Sequence, residues 1–296
     1  MLVVTTGLLK EVVKLAAKII DGKAIANKIR ISLKEDIERL SRERGFVPGL
    51  AVILVGKDPA SQIYVRNKEK ACKEIGIESR VIYMDENVSQ DVLLQEIDKL
   101  NNDKDIHGIL VQLPLPNHID PEAVISAIDP KKDVDGFHPL TTGKLFVGQK
   151  GFEPCTPKGI ITLIKETGQD IAGKHAVVIG RSNIVGKPVS IMLLRENATV
   201  TICHSKTKNL KEIAKNADIL VVAMGRPESI DDEYIKDGAI VIDVGTTRVD
   251  GKLKGDVVFD KAVHKAGWIT PVPGGVGPMT ITMLLENTVQ AAYGNE

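Results

Sequence analysis

The sequence predicts a two-domain α/β protein with parallel sheets, on three observations. Short β-branched runs alternate with stretches of helical periodicity almost throughout. Repeated βα units of this kind bury their strands on both faces and call for parallel pairing. The alternation stops between Asp129 and Lys158, a stretch rich in Gly, Pro and Lys that reads as a connection, and then restarts. The 296 residues are enough for two domains of roughly 150 residues each.

Residues 23–44 carry apolar side chains at helical spacing, with Gly45 as the stop. GLAVILVG is a short β-branched strand, after which Asp58 caps a helix with Pro59 at its first position and Gly76 at its end. ESRVIYM is a strand, Ser89 opens the helix SQDVLLQEIDKLN, and HGILVQLPLP is a buried strand halted by Pro114 and Pro116. Glu122 to Ile128 forms a short helix, and Thr156-Pro157 opens the next long one. KHAVVIG, ATVTICHS, ADILVVAMG and GAIVIDVG are strands with helices between them. A Gly/Pro loop follows Trp268, and a last helix runs from about Pro278 to the end.

Lys+Arg and Asp+Glu are each 39, so charge offers no attraction for nucleic acid or an acidic membrane. Cys72, Cys155 and Cys203 are too scattered for a disulfide framework or a zinc spacing, which points to a reducing cytosol. Charges at Lys10, Glu11, Lys14 and Lys18 break up the apolar N-terminus, which fits neither a membrane span nor a signal peptide. It reads as a leader followed by an amphipathic start to the first domain.

KHAVVIGRSNIVGKPVSIMLL is strand, glycine-bearing turn, helix, an arrangement that offers backbone amides and a helix N-terminus to a pyrophosphate. Gly180 and Gly186 are its glycines, and Ser182 stands where GxGxxG has its second. The next strand ends without the Asp or Glu that accepts from an NAD ribose; His204, Ser205, Lys206 and Lys208 follow instead, with Arg181 nearby. Donors and positive charge suit a 2′-phosphate, so the pattern predicts NADP.

In the first half, Tyr64 and Lys68 share a helical face one turn apart; taken in isolation such a pair reads first as a helix flank with a snorkelling lysine. Gln112 follows GILV at a strand's carboxyl end, where open α/β sheets place ligands; inside an apolar run its amide needs a partner, which backbone can also supply. Asp133 and Asp135 in KKDVDG lack the neighbouring ligands of a metal site, and an Asx turn before Gly136 is the alternative. TPVPGGVGPMT makes a rigid loop whose glycines let a flat ligand approach the backbone.

Taken together, KIIDGKAIA, VGKDPASQIYVRNKEKAC, GILVQLPLP, DPKKDVDGFHP, PCTPKGI, VVIGRSNIVGKPVS, TVTICHSKT, ADILVVAMG, VIDVGTTR and PVPGGVGPMT resemble the bifunctional methylenetetrahydrofolate dehydrogenase/methenyltetrahydrofolate cyclohydrolase family over about Ile20 to Ala292. The resemblance implies an α/β substrate domain followed by a Rossmann-like NADP-binding domain, with the last helix returning to the first. That puts residues 1–150 and 279–296 in the folate domain and 151–278 in the nucleotide domain. It implies catalytic roles for Tyr64, Lys68 and Gln112. Asp135, Val111, Leu113 and the loop Pro273, Gly274, Gly275, Val276 and Gly277 would bind a reduced folate. Gly180, Arg181, Ser182, Ser205 and Thr246 would bind NADP, with no metal, and the chain would form a homodimer. Thr247 departs from the Asn common in the family, which touches the detail of the cofactor pocket. A lysine withdrawn from solvent has a lowered pKa and can shuttle protons during hydration of a methenyl cation, which favours both activities. A shikimate-type NADP dehydrogenase is the alternative enzyme; an NADP-sensing protein without turnover is the alternative outside catalysis.

Overall fold

The computed structural model describes residues 16–294. The leader read at the N-terminus lies outside them up to residue 15. The first half runs β1 (Lys18–Ile19), α1 (Gly22–Arg44), β2 (Gly49–Val55), α2 (Pro59–Ile75), β3 (Glu78–Met84), α3 (Gln90–Asn102), β4 (Gly108–Val111), α4 (Pro121–Ala127) and α5 (Pro139–Phe146). Next come α6 (Cys155–Glu166), β5 (His175–Ile179), α7 (Gly186–Arg195), β6 (Thr199–Cys203), α8 (Leu210–Ala214), β7 (Ile219–Val222) and β8 (Ile240–Asp243). The chain ends with β9 (Thr247–Val249), β10 (Lys252–Lys254), α9 (Phe259–Ala262), β11 (Trp268–Ile269) and α10 (Val276–Tyr293).

Local chemistry sets the helix ends as the sequence predicts. Asp58 accepts from the Ser61 amide at 2.7 Å ahead of Pro59, and α2 stops at Gly76 with φ 88°. Gly45 ends α1 in the same left-handed conformation at φ 80°, a region that costs glycine little. Ser89 caps α3 by accepting from Val92.

The strands form a three-stranded sheet, β3-β2-β4, and a six-stranded sheet, β1-β11-β8-β7-β5-β6, both parallel throughout. Every residue of β2, the central strand of the smaller sheet, is buried. In the larger sheet β6 and β7 flank β5, so the chain reverses direction around β5 and opens a crevice at the strands' carboxyl ends. β9 and β10 form a separate antiparallel hairpin. The largest apolar cluster takes residues from α1, α2, α6 and α10 and from both sheets. α10 lies along α6 and α1 and touches α2, β2 and β4. Gly159 lets α6 and α10 approach: a Cβ there would stand 2.9 Å from the Met279 Cβ.

Three expectations need correction. The stretch from Asp129 to Lys158 is not bare linker, because it contains α5. Thr141, Thr142 and Gly143 are weak helix formers, and the entry to the helix is held by side-chain bonds from a few residues upstream. The Asp133 carboxylate accepts from the Phe137 and His138 amides at 3.1 and 2.9 Å, and His138 Nδ1 accepts from Leu140. The last helix starts at Val276, so Val276 and Gly277 belong to its first turn and not to the loop. The strand read through Pro116 ends at Val111, ahead of a cis Leu113–Pro114 peptide. In addition, β1 pairs with β11, so residues 18–19 extend the larger sheet.

Candidate active site

α2 buries Ser61, Val65, Lys68, Cys72 and Ile75 along one stripe while Tyr64, on its flank, remains 39% exposed. With Val65 and Cys72 packed on either side, Lys68 is directed inward and is only 9% exposed. Its Nζ donates to Gln112 Oε1 at 2.9 Å. Gln112 Nε2 donates to the Leu113 carbonyl at 2.6 Å, so the amide's oxygen end is turned toward the amine. The Gln112 backbone amide donates to Ile53 O on β2 at 2.9 Å, which anchors the residue to the sheet edge.

Asp135 completes this polar cluster. Burial pushes the Lys68 ammonium's pKa down, and the Asp135 carboxylate works against that shift. Burial likewise pushes Asp135 up, with Lys68 holding it back. Asp133 acts differently, since both its oxygens are taken by backbone amides, and burial moves its pKa up to about 6. The KDVDG segment thus divides into one acid that folds the loop and one that faces the cleft.

Tyr64, Lys68, Val111, Gln112, Leu113 and Asp135 line a cleft of about 330 Å³, and Thr246, Val276 and Gly277 close it from the other side. A second cavity of about 350 Å³ adjoins it and shares Tyr64, Thr246, Val276, Gly277 and Ile281. Pro273, Gly274 and Gly275 line only this second cavity. The glycines of that loop have separate reasons. A Cβ on Gly22 would stand 2.0 Å from Gly275 O, and the Lys23 amide donates to Gly274 O at 3.0 Å, so the loop is wedged backbone to backbone against the start of α1. Gly277 has no atom within 4 Å of a built Cβ and presents an open face to the cleft.

Sequence reasoning missed Phe137, Cys155, Thr156, Val244 and Thr280, all of which line the main cleft. Thr156 Oγ1 and Thr280 Oγ1 lie 2.9 Å apart and tie α6 to α10 there. Thr156 and Thr280 each lie within a motif already singled out, PCTPKGI and PVPGGVGPMT; which way they point depends on the packing of α6 against α10.

Gly180, Arg181 and Ser182 follow β5, Ser205 follows β6 and Thr246 follows β8, all at the carboxyl edge of the six-stranded sheet. Only Thr246 reaches the cavities. The β5–α7 turn is built for close approach: Gly180 has φ 138°, and a Cβ there would lie 2.2 Å from Ala223 O. A Cβ on Gly186 would lie 2.3 Å from Gly180 O. Ser182 Oγ accepts from the Val185 and Gly186 amides at 3.2 and 3.3 Å, so it shapes the turn from within. After β6, His204 N donates to Thr207 Oγ1 and His204 Nδ1 accepts from the Lys206 amide, a turn that leaves Arg181 and Ser205 exposed. These residues fit a phosphorylated dinucleotide: a side-chain-free turn for the pyrophosphate, and hydroxyl and guanidinium donors where a carboxylate would repel a 2′-phosphate.

Comparison with known proteins agrees with this geometry. Residues 20–135 match the model of the tetrahydrofolate dehydrogenase/cyclohydrolase catalytic domain, and residues 154–296 match that family's NAD(P)-binding domain. The bifunctional protein FolD of Bacillus thuringiensis (strain Al Hakam) is 60% identical over 279 residues, covering 94% of this chain and 97% of that protein. The crystal structure of the FolD dehydrogenase/cyclohydrolase from Campylobacter jejuni superposes with a TM-score of 0.92 at 51% identity, over 94% of this chain and 99% of that one. The Trypanosoma brucei methylenetetrahydrofolate dehydrogenase-cyclohydrolase, solved with NADP and an inhibitor, gives 0.91 at 43% identity over 94% and 98% of the two chains.

Proposed function

This chain belongs to the tetrahydrofolate dehydrogenase/cyclohydrolase family, and from that premise we propose that it oxidises 5,10-methylenetetrahydrofolate with NADP and hydrolyses the methenyl product to 10-formyltetrahydrofolate in one cleft. The observation that carries this is the Lys68 amine, held 2.9 Å from Gln112 beside the Asp135 carboxylate in a cleft that also reaches Thr246 at the nucleotide edge. Membership of this family sets the shikimate-type alternative aside.

The division of labour follows from the residues. Asp135 accepts paired N–H donors from the pterin's aminopyrimidine edge, as an ionised carboxylate can. Tyr64 packs over the substrate at the junction of the two cavities, and Val111 and Leu113 flank the reacting ring. Gly180, Arg181, Ser182, Ser205 and Thr246 hold NADP, which when bound accepts hydride from the bridging carbon. Water then adds to the methenyl carbon. Neutral Lys68 takes one proton from that water as the carbon–oxygen bond forms and passes it to the ring nitrogen as the carbon–nitrogen bond breaks. The water's second proton leaves to solvent. Burial favours the neutral amine that this step requires. Gln112 keeps the amine aimed.

We assign residues 1–150 and 279–296 to the folate unit and 151–278 to the nucleotide unit, with β1 (Lys18–Ile19) crossing over to pair in the nucleotide unit's sheet; the packing of α10 on α1, α2, β2 and β4 supports its return to the first. A homodimer in the cytosol completes the proposal, and the three free, buried thiols are in keeping with a reducing compartment. No helix among the described residues is long and apolar enough to cross a membrane. The test is to follow methenyltetrahydrofolate absorbance from methylenetetrahydrofolate and NADP. The proposal requires its rise and subsequent decay. Absence of the rise refutes the dehydrogenase, and a product that persists at its spontaneous rate refutes the cyclohydrolase.

A further inference from the structure

We propose that Asn287 is a positioning residue for folate binding: from α10 it clamps the Val134–Asp135 peptide and thereby aims the Asp135 carboxylate. The inference rests on the function proposed above. Asn287 is 0% exposed. Its Nδ2 donates to Val134 O at 2.8 Å and to Glu153 O at 2.9 Å. Its Oδ1 accepts from Lys158 Nζ at 2.9 Å, and Lys158 is in turn paired with Glu286 at 3.3 Å. The Cys155 thiol also donates to Val134 O, at 3.2 Å.

The chemistry makes this arrangement directional. An amide has a donor end and an acceptor end, whereas an ammonium only donates. Lys158 therefore decides that the NH₂ end faces the two carbonyls. Asparagine is a poor residue for the middle of a helix, and packing alone at a fully buried position would be met by an apolar side chain. The Val134 carbonyl belongs to the peptide whose nitrogen is that of Asp135, so holding this plane limits where the carboxylate points. The same helix supplies Val276, Gly277 and Thr280 to the opposite wall of the cleft. One element thus sets the distance between the pterin's anchor and the surface it packs against.

The experiment measures KM for methylenetetrahydrofolate and for NADP in Asn287→Ala and Lys158→Met. Loss of the two donors in Asn287→Ala raises folate KM about tenfold, the scale of one or two lost buried hydrogen bonds. Lys158→Met, which frees the amide to turn over, raises it about threefold by the same reasoning. NADP KM changes by less than about twofold in both, because among the described residues no hydrogen bond joins Asn287 or Lys158 to Gly180, Arg181, Ser182, Ser205 or Thr246. In an Asp135→Ala background, adding Asn287→Ala moves folate KM by less than about twofold, because the clamp then has no carboxylate to aim. An unchanged folate KM, an equal rise for both substrates, or a full tenfold effect in the Asp135→Ala background overturns the proposal. If Asn287→Ala does not fold, Lys158→Met decides alone. An inactive wild type refutes the proposed function; an active wild type with unaltered variants refutes only the role of Asn287.

Discussion

Replacing Lys68 with methionine keeps the apolar stem that packs between Val65 and Cys72 and removes only the amine. General acid–base catalysis contributes about 10²–10⁴ in rate, or about 3–5 kcal/mol of barrier, so cyclohydrolase turnover falls by that factor. The fold survives, because the lost bond to Gln112 costs about 1 kcal/mol while the methionine keeps the apolar stem in place. Asp135 loses the positive charge that holds its pKa down, so folate KM rises as well. NADP affinity changes by less than about twofold, since Gly180, Arg181, Ser182 and Ser205 stand on the other sheet and, of the assigned contacts, Thr246 alone shares the cleft with Lys68. The pH dependence has a definite sign. The folded-state pKa of Lys68 lies below its ordinary value of 10.5, so between those two values the unfolded chain binds more protons. Stability therefore rises with pH across that window, and the methionine variant lacks the rise. The assay is the decay of methenyltetrahydrofolate absorbance, with cofactor binding followed by fluorescence titration. Hydrolysis within threefold of wild type would refute the proton-shuttle role.

Asp133→Asn flattens the stability profile in acid. A pKa raised from 3.8 to about 6 means that this group's contribution is present below pH 3.8 and is lost as pH rises through 6, by about 3 kcal/mol. Urea unfolding at pH 4 and pH 7 measures it, and superimposable profiles for wild type and variant would contradict the burial argument. Gly180→Ala forces a side chain to within 2.2 Å of Ala223 O at φ 138°, so NADP binding weakens by more than about tenfold or the β5–α7 turn fails to form. Isothermal titration that returned wild-type affinity would show that the turn yields. Arg181→Ala lowers NADP affinity about ten- to a hundredfold through one charged hydrogen bond and leaves NAD affinity alone; an equal loss for both dinucleotides would remove the 2′-phosphate from the explanation.

Much of this could be read in the chain because its causes are local. Asp58-Pro59 and Gly76 bound α2 through bonds within a few residues, and the spacing of Tyr64 and Lys68 places both near one helical face whatever surrounds them. Gln112 was conspicuous as an amide closing an apolar strand, and the missing acid after β6 was visible in the letters. α5 was hidden because Thr141, Thr142 and Gly143 are weak helix formers set in a Gly-, Pro- and Lys-rich stretch, although the Asp133 bonds to the Phe137 and His138 amides that set its entry are themselves local. Asn287 gave no signal of its own, standing between the polar Glu286 and Thr288, and nothing near it in sequence named its partners.

Residue order alone dictates the alternation of strands and helices, the caps that bound them, and the residue types available at each strand's carboxyl end. The strand orders, the joining of β1 to β11, and the meeting of α2, β4, the KDVDG loop and α10 around one amine emerge from the folded packing. The reason is physical. Periodicity and capping are satisfied within a turn or two of backbone, whereas the direction of a buried carboxylate depends on hydrogen bonds from residues about 150 positions away, such as Asn287 to Val134 with a separation of 153.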